Sequence, residues 1–417
     1  MRANKGNAKL VKEVNRRLIF QFIRREHAVS RADIARSLGL SPTTVSALID
    51  ELSTEGFVRK LGCGTSRRGR RPVIYQIDPT ARYAVGADVG SNVLTVITTD
   101  LNGTVIKESE TSINDQVGQD LIRTLYEEIN RCIQIAQIDR SRILGVGIAS
   151  PGLIDYQGGT VIRAVNVEWE GVPLKGILEH ELDLPVYVEN MNNAAALGEY
   201  SWGIDRDVKR FFYLNVGRGV GGGIIADGRV LQGSGISAGE IGHLVIDRYG
   251  DKCRCGARGC LETLVSANAL EKQAYRMADR FPNSSIVKLS RGEPKNITLE
   301  MLSQAAEDND PLAVNVFTQA GEWLGFVIAG MINIFNPDVV MLGGRVIRAA
   351  EDMILAKARS IARENSFHAL FDMVAFITPR LGHLSSALGA VSFVLQEKFE
   401  KPLIAFGDFD MHRLEKV

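Results

Sequence analysis

Between Gly239 and Glu262 the chain reads GEIGHLVIDRYGDKCRCGARGCLE, a stretch that holds three of its five cysteines. Cys253, Cys255 and Cys260 fall within eight residues, and His243 lies ten residues before the first of them. Three thiolates and one imidazole make a closed tetrahedral ligand set, that of a structural zinc site. Gly256 and Gly259 allow the tight backbone path that such ligands need. The competing reading is a set of disulfides or scattered buried thiols, and Cys253 and Cys255 are too close in sequence to bridge each other comfortably. The opening segment, MRANKGNAKLVKEVNRR, is basic but leads into no apolar block and cleavage site. The expectation is therefore a reducing, cytoplasmic setting, in which disulfides are disfavoured and a metal is favoured. Cys63 and Cys132 lie elsewhere and suggest no chemistry. Glu240 and Glu262 bracket the ligand set. A rigid metal loop would fix both carboxylates so that they accept hydrogen bonds from sugar hydroxyls; without that constraint they read as ordinary surface acids.

The elements that must position these groups are spread over 417 residues, enough for two or three domains. A 45% hydrophobic and 24% charged composition fits a globular protein. No uninterrupted run of 18 apolar residues occurs, so no transmembrane helix and no membrane partner are expected. The formal charge is zero but unevenly placed. Residues 1–79 carry 16 Lys and Arg against 7 Asp and Glu, a net of +9, which leaves −9 on the remainder. A basic first domain on an acidic body points to a polyanionic partner for that domain alone.

In this first domain, Leu10, Val14, Leu18 and Phe22 recur every four residues, with Val11, Ile19 and Ile23 beside them, the spacing of one apolar helix face. Ser30 precedes a short second helix with Asp33 at its capping-box position, and Gly39 ends it. Ser41 and Pro42 open a third helix with Val45, Leu48, Ile49 and Leu52 facing inward. Two strand-like runs follow, Phe57–Leu61 and Val73–Ile77, separated by a loop rich in arginine. This is the layout of a winged helix-turn-helix, whose third helix enters the major groove of double-stranded DNA. The residues placed to read bases are Ser41, Thr43, Thr44 and Ser46. Arg67, Arg68, Arg70 and Arg71 on the wing suit phosphates or a narrow minor groove. A helical bundle for protein contacts and a merely solvated charge run are the blander alternatives.

After a junction near Asp78–Arg82, YAVGADVGSNVLTVITTD forms a strand–turn–strand unit, and FFYLNVGRGVGGGIIADGRVL repeats the design. Further glycine turns occur at Gly343–Gly344 and in SSALGAVSFVL. Each alone is weak evidence for phosphate binding, but their order resembles the actin-like sugar-kinase fold. The match narrows to the ROK family (repressors, open reading frames and kinases). It is carried by DVGSN at 88–92, GIASPGLID at 147–155, NVEW at 166–169, VENMNNAAALGE at 188–199, GRGVGGG at 217–223, GEIGH at 239–243, CRCGARGCLE at 253–262 and LGGRV at 342–346. The resemblance implies an α/β chain with a winged helix-turn-helix at 1–80 and a two-lobed actin-like (ribonuclease H-like) body. Its small lobe would span 81–195, joined by a C-terminal helix near 386–400, and its large lobe 196–385 with the zinc loop. It also implies zinc at His243, Cys253, Cys255 and Cys260, and sugar contacts from Asn166, Asn190, Glu240, His243 and Glu262.

The sequence departs from the family's kinases along the reaction path. Where those kinases carry the aspartate that takes a proton from the sugar hydroxyl, this chain has Met191, and a thioether cannot act as a base at neutral pH. Ser91 and Asn92 alter the first phosphate loop, Arg218 replaces a threonine in the second, and Arg345 replaces a glycine in the adenosine loop. The expectation is a homodimeric sugar-responsive repressor that binds operator DNA, a small sugar inducer and structural zinc, with no ATP and no catalysis. Two alternatives are a sugar kinase with an appended DNA-binding domain, and a repressor controlled by a sugar-transport protein. The Glu189–Asn190 opening of ENMNN resembles the xylose-responsive members somewhat more than those for glucose or N-acetylglucosamine.

Overall fold

The computed structural model describes residues 5–63, 72–114, 116–204, 208–234, 236, 238–290 and 293–399. The wing arginines Arg67, Arg68, Arg70 and Arg71 lie outside the described residues.

The first domain packs α1 (Lys5–Glu26), α2 (Arg31–Leu38) and α3 (Pro42–Thr54) against a three-stranded sheet of β1 (Val29–Ser30), β2 (Val58–Cys63) and β3 (Val73–Ile77), in order β1-β3-β2. Both reading-frame helices start as their caps dictate. Ser30 and Asp33 form a reciprocal capping box, and the Ser41 hydroxyl accepts from the Thr44 N–H. Gly39 ends α2 in the left-handed region, at φ 64°. The inward face of α3 is Val45, Leu48, Ile49 and Leu52, all buried. On α1 the buried face agrees with the expected one at Ile19, Phe22 and Ile23 and differs from it at Val11 and Leu18. Leu18 is 41% exposed and Val11 52%, while Phe20 joins Ile19, Phe22 and Ile23 in the core. Phe20, which lies off the expected face, packs on a helix from the far end of the chain.

The body consists of two sheets of the same topology. The first contains β4 (Tyr83–Val89), β5 (Val93–Asp100), β6 (Val105–Ser112), β7 (Ile143–Ser150) and, after the three-stranded β8 (Leu153–Asp155), β9 (Thr160–Ala164) and β10 (Trp169–Val172), strand β11 (Val186–Asn190). Its order is β11-β7-β4-β5-β6. The second contains β12 (Arg210–Val216), β13 (Val220–Ala226), β14 (Arg229–Val230), β15 (Val339–Gly343) and β16 (Ala375–Ile377), in order β14-β13-β12-β15-β16. In each sheet the first three strands are an antiparallel meander and the last two add in parallel. That repeat is the duplication read from the two strand–turn–strand units.

Helices α4 (Gly118–Ile135) and α5 (Leu174–Leu182) cover the first sheet; α6 (Met191–Gly198) follows β11 directly. The second sheet is covered by α7 (Glu262–Val265), α8 (Ala267–Met277), α9 (Ser285–Leu289), α10 (Leu299–Glu307), α11 (Pro311–Phe335), α12 (Arg345–Ala349), α13 (Glu351–Asn365) and α14 (His368–Phe371). By length and composition α11 could cross a membrane, a feature the search for unbroken apolar runs misses. Most of its apolar residues between Leu312 and Ile332 are buried in the core over the second sheet, while Phe326 is exposed.

The last helix, α15 (Ser385–Phe399), ties the whole together. It lies so close to β7 and α6 that only glycine fits at the crossings. A Cβ on Gly147 would sit 2.0 Å from the Ala390 carbonyl oxygen, and one on Gly389 would sit 1.6 Å from that of Ala194. At its far end Phe399 stacks on Phe20 with ring centroids 4.1 Å apart, and meets Phe57 edge-on at 5.7 Å. Val391, Val394 and Leu395 share one core with Ile19, Ile23, Ile49 and Tyr75 of the first domain. The first domain is thus built onto the body through α15.

Candidate functional site

Two loops bring the candidate metal ligands together. His243 ends a single helical turn, Ile241–His243, and the cysteine loop folds back so that Val245 bridges Cys260 and Lys252 bridges Arg258. Gly256 and Gly259 adopt positive φ, 102° and 68°, and a Cβ on Gly259 would strike the Asp247 carbonyl at 1.4 Å. One ligand atom from each of His243, Cys253, Cys255 and Cys260 lies within 4.8 Å of the others. The Cys255 and Cys260 sulfurs are 3.6 Å apart, and the Cys253 sulfur is 3.5 Å from His243 Nδ1. A tetrahedral zinc with bonds of about 2.3 Å to sulfur and about 2.0 Å to nitrogen has edges of roughly 3.5–3.8 Å, so the residues fit that ion. Cys253 and Cys260 are 4% and 0% exposed. Burial and the neighbouring thiols push Cys260 up to about 12, an opposition to ionisation that a dication in the same place would reverse. With Nδ1 on the thiol side, the Nε2 edge of His243 is left for a second partner.

The carboxylates that bracket this loop are held differently. Glu262 opens α7 and accepts from the Val220 N–H at 3.2 Å, which fixes it against the second glycine loop. Glu240 keeps a solvent-exposed edge, yet packing of the loop raises its carboxyl above the usual range; the Glu262 charge acts the same way and His243 opposes it. Asn166 is exposed on a short turn between β9 and β10. Asn190 is buried. Its side-chain oxygen caps α6 by accepting from the Asn192 and Asn193 N–H groups, and its amide donates to the Gly152 carbonyl at 2.9 Å. Most of its hydrogen-bonding capacity is thus structural, leaving one amide hydrogen over.

Met191 occupies the first position of α6, immediately after that cap. Its neighbour Asn192 reaches across to β12 and accepts from the Asn215 amide at 3.2 Å. A Cβ on Gly221 would lie 2.1 Å from Asn192 Nδ2, so the Asn192 side chain packs directly on this glycine of the second loop. Arg218 extends over the same region and donates to Asn92 of the first loop at 3.4 Å. At the glycine turn after β15, Arg345 pairs with Glu300 at 2.5 Å over a depression also lined by Ser303, Glu307 and Arg348. A residue that sequence reasoning missed is Arg254, between two candidate ligands. It donates to Asn166 and to Glu262, each at 3.4 Å. No spacing rule signals a contact between elements 88 residues apart.

In the first domain, Thr43 is exposed at the start of α3, with Thr44 and Ser46 half-buried beside it. The Ser41 hydroxyl is engaged by Thr43 and Thr44 as well as by the cap. Arg31 pairs with the exposed Asp50 of α3 and lies over the Tyr75 ring.

A winged helix-turn-helix mounted on a duplicated, actin-like sugar-kinase body defines the class. The chain belongs to the ROK family, whose model matches residues 84–397, while residues 15–69 match the MarR family model. It is 33% identical to the xylose repressor of Caldicellulosiruptor bescii over 95% of this chain and 99% of that protein. It is also 33% identical to a glucokinase of Halalkalibacterium halodurans, over 76% of this chain and 96% of that one. A crystal structure of a ROK family transcriptional regulator, described as a homologue of the Escherichia coli MLC protein, superposes with a TM-score of 0.81 at 28% identity, covering 93% of this chain and 96% of that one.

Proposed function

We propose that this protein is a cytoplasmic, homodimeric transcriptional repressor of sugar-utilisation genes. Its winged domain reads operator DNA, and its kinase-like body binds a sugar inducer and a structural zinc without phosphorylating anything. The observation that carries this reading is the fusion of a DNA-reading domain, through one continuous core, to a sugar-kinase body with Met191 at the position of the base. A two-fold operator needs two reading helices at fixed spacing, which one chain does not supply.

The sugar is held between the lobes by Asn166, Asn190, Glu240, His243 and Glu262. Zinc on His243, Cys253, Cys255 and Cys260 supplies no chemistry of its own; it fixes the loop that carries Glu240 and Glu262. Nucleotide is not needed. Arg218 stands over the second phosphate loop, and the Arg345–Glu300 pair gives the adenosine region charged walls.

The route from sugar to DNA runs along two helices. Asn190 caps the start of α6, Glu199 follows its end and accepts from the Ser385 hydroxyl at the start of α15, and Phe399 at the end of α15 packs against the core of the winged domain. A sugar that binds one lobe arrangement better than another therefore biases the position of the DNA-reading domains.

The test is DNA selected from a random pool by the purified protein, then titrated with D-xylose, D-glucose and N-acetylglucosamine without ATP. Release by one sugar, at concentrations that also raise the melting temperature, is expected. DNA binding indifferent to all sugars would overturn direct sensing and move control to a protein partner.

A further inference from the structure

We infer that Arg254 is an additional residue of the sugar site, one that spans it when empty and that the sugar must displace; this rests on the sugar-binding reading above. Arg254 lies between Cys253 and Cys255 on the large-lobe loop. Its Nη1 donates to Asn166 Oδ1 on the small lobe and its Nη2 to Glu262 Oε1 on the large lobe, each at 3.4 Å. The guanidinium thus stands between two groups, one from each lobe, to which a ligand in the interlobe space would have to donate. Its planar fork suits this, because two separate donors reach two separate acceptors.

The bridge is built to yield. Both bonds are long, and the Arg254 side chain is 68% exposed, so water replaces them at little loss. Glu262 is the firmer partner: it is only 14% exposed, and its other oxygen is already fixed by the Val220 N–H. What a sugar gains at Glu262 and Asn166 is therefore reduced by the weak contacts it removes. Because the same bridge links the lobes, its release and the entry of sugar are one event. Arg254 is not a catalytic residue. It sets the concentration at which the sugar acts.

The experiment is calorimetric titration of the full-length, zinc-loaded protein with D-xylose, D-glucose and N-acetylglucosamine, for the native chain, Arg254→Ala and Arg258→Ala. Arg258 is an exposed cation on the same loop and serves as the control for loop charge. Zinc content and melting temperature are checked for each, since both substitutions flank the ligand set. Arg254→Ala is expected to tighten binding of the cognate sugar about three- to fivefold, the effect of removing a weak exposed ion pair, with Arg258→Ala unchanged. Unchanged or weaker binding by Arg254→Ala overturns the proposal, as does equal tightening by Arg258→Ala. If the native chain itself binds none of the three sugars, the sugar-site reading fails first and this inference with it.

Discussion

The buried carboxylate of Glu199 receives the hydroxyl of Ser385 at 2.6 Å, while its two oxygens also accept the N–H groups of Arg380 and Leu381, each at 3.0 Å. One side chain thus fastens the end of α6 to the start of α15. Three donors would lose their acceptor geometry if it were altered. Glu199→Gln is expected to cost about 2–3 kcal/mol, the range for buried hydrogen bonds to a charged group. It should also blunt the effect of sugar on DNA binding more than it lowers DNA affinity. Thermal melts and operator anisotropy with and without sugar measure both.

Phe399 tests the other end of α15. Its stacking on Phe20 and edge contact with Phe57 join the winged domain to the body. Phe399→Ala is expected to destabilise this junction by about 2–3 kcal/mol, from lost apolar burial and ring contacts. Hydrogen exchange should rise in α1 and β2 first. Uniform exchange across the molecule would show that the junction carries no special share of stability.

Zinc removal should act locally before it acts globally. With about one zinc per chain expected from a closed four-ligand site, Cys260→Ser should abolish metal content in elemental analysis. Chelation should loosen the loop 239–262 and weaken sugar binding. A chain that melts and responds to sugar identically with and without metal would exclude a structural role.

The nucleotide region makes a kinetic prediction. The native chain is expected to show no ATP-dependent phosphorylation of glucose or xylose above background. Met191→Asp alone should not create it, because Arg218 still occupies the second loop; Met191→Asp with Arg218→Thr is the variant in which turnover is expected. Turnover by the native chain would revive the kinase reading.

Asp88 gives a pH dependence. Burial holds its carboxyl up at about 7, with the Ser386 hydrogen bond opposing, and its Oδ1 is shielded and without a hydrogen-bond partner. The folded state therefore binds this proton more tightly than the unfolded chain, whose carboxyl has the ordinary value of 3.8. The stabilisation is complete below the unfolded value and is lost as pH rises through the folded one. Asp88→Asn should remove a decline of about 2 kcal/mol between about pH 5 and pH 7. Melting curves across that window, with parallel slopes for native and variant, would refute it.

Several features were legible before any coordinates because they are local. Ser30, Asp33, Ser41 and Gly39 specify caps whose partners lie within a few residues, and the cysteine loop gathers most of its ligands within eight residues. The reading of Met191 was equally local, since it needs only a position in a motif. The repeated strand–turn–strand units announced two sheets, and their matching order followed. What only the tertiary structure decided are contacts between distant segments. Periodicity placed Leu18 on the buried face of α1 and left Phe20 off it, whereas in the fold Leu18 is exposed and Phe20 stacks on Phe399, 379 residues away. The close approach at Gly221 comes from Asn192, the bridge at Arg254 from Asn166 and Glu262, and the fastening of α15 from Glu199. Side-chain spacing along the chain reports which face an element has; which neighbour fills that face depends on how the elements pack, and here that packing is what links the two-sheet body to the winged domain.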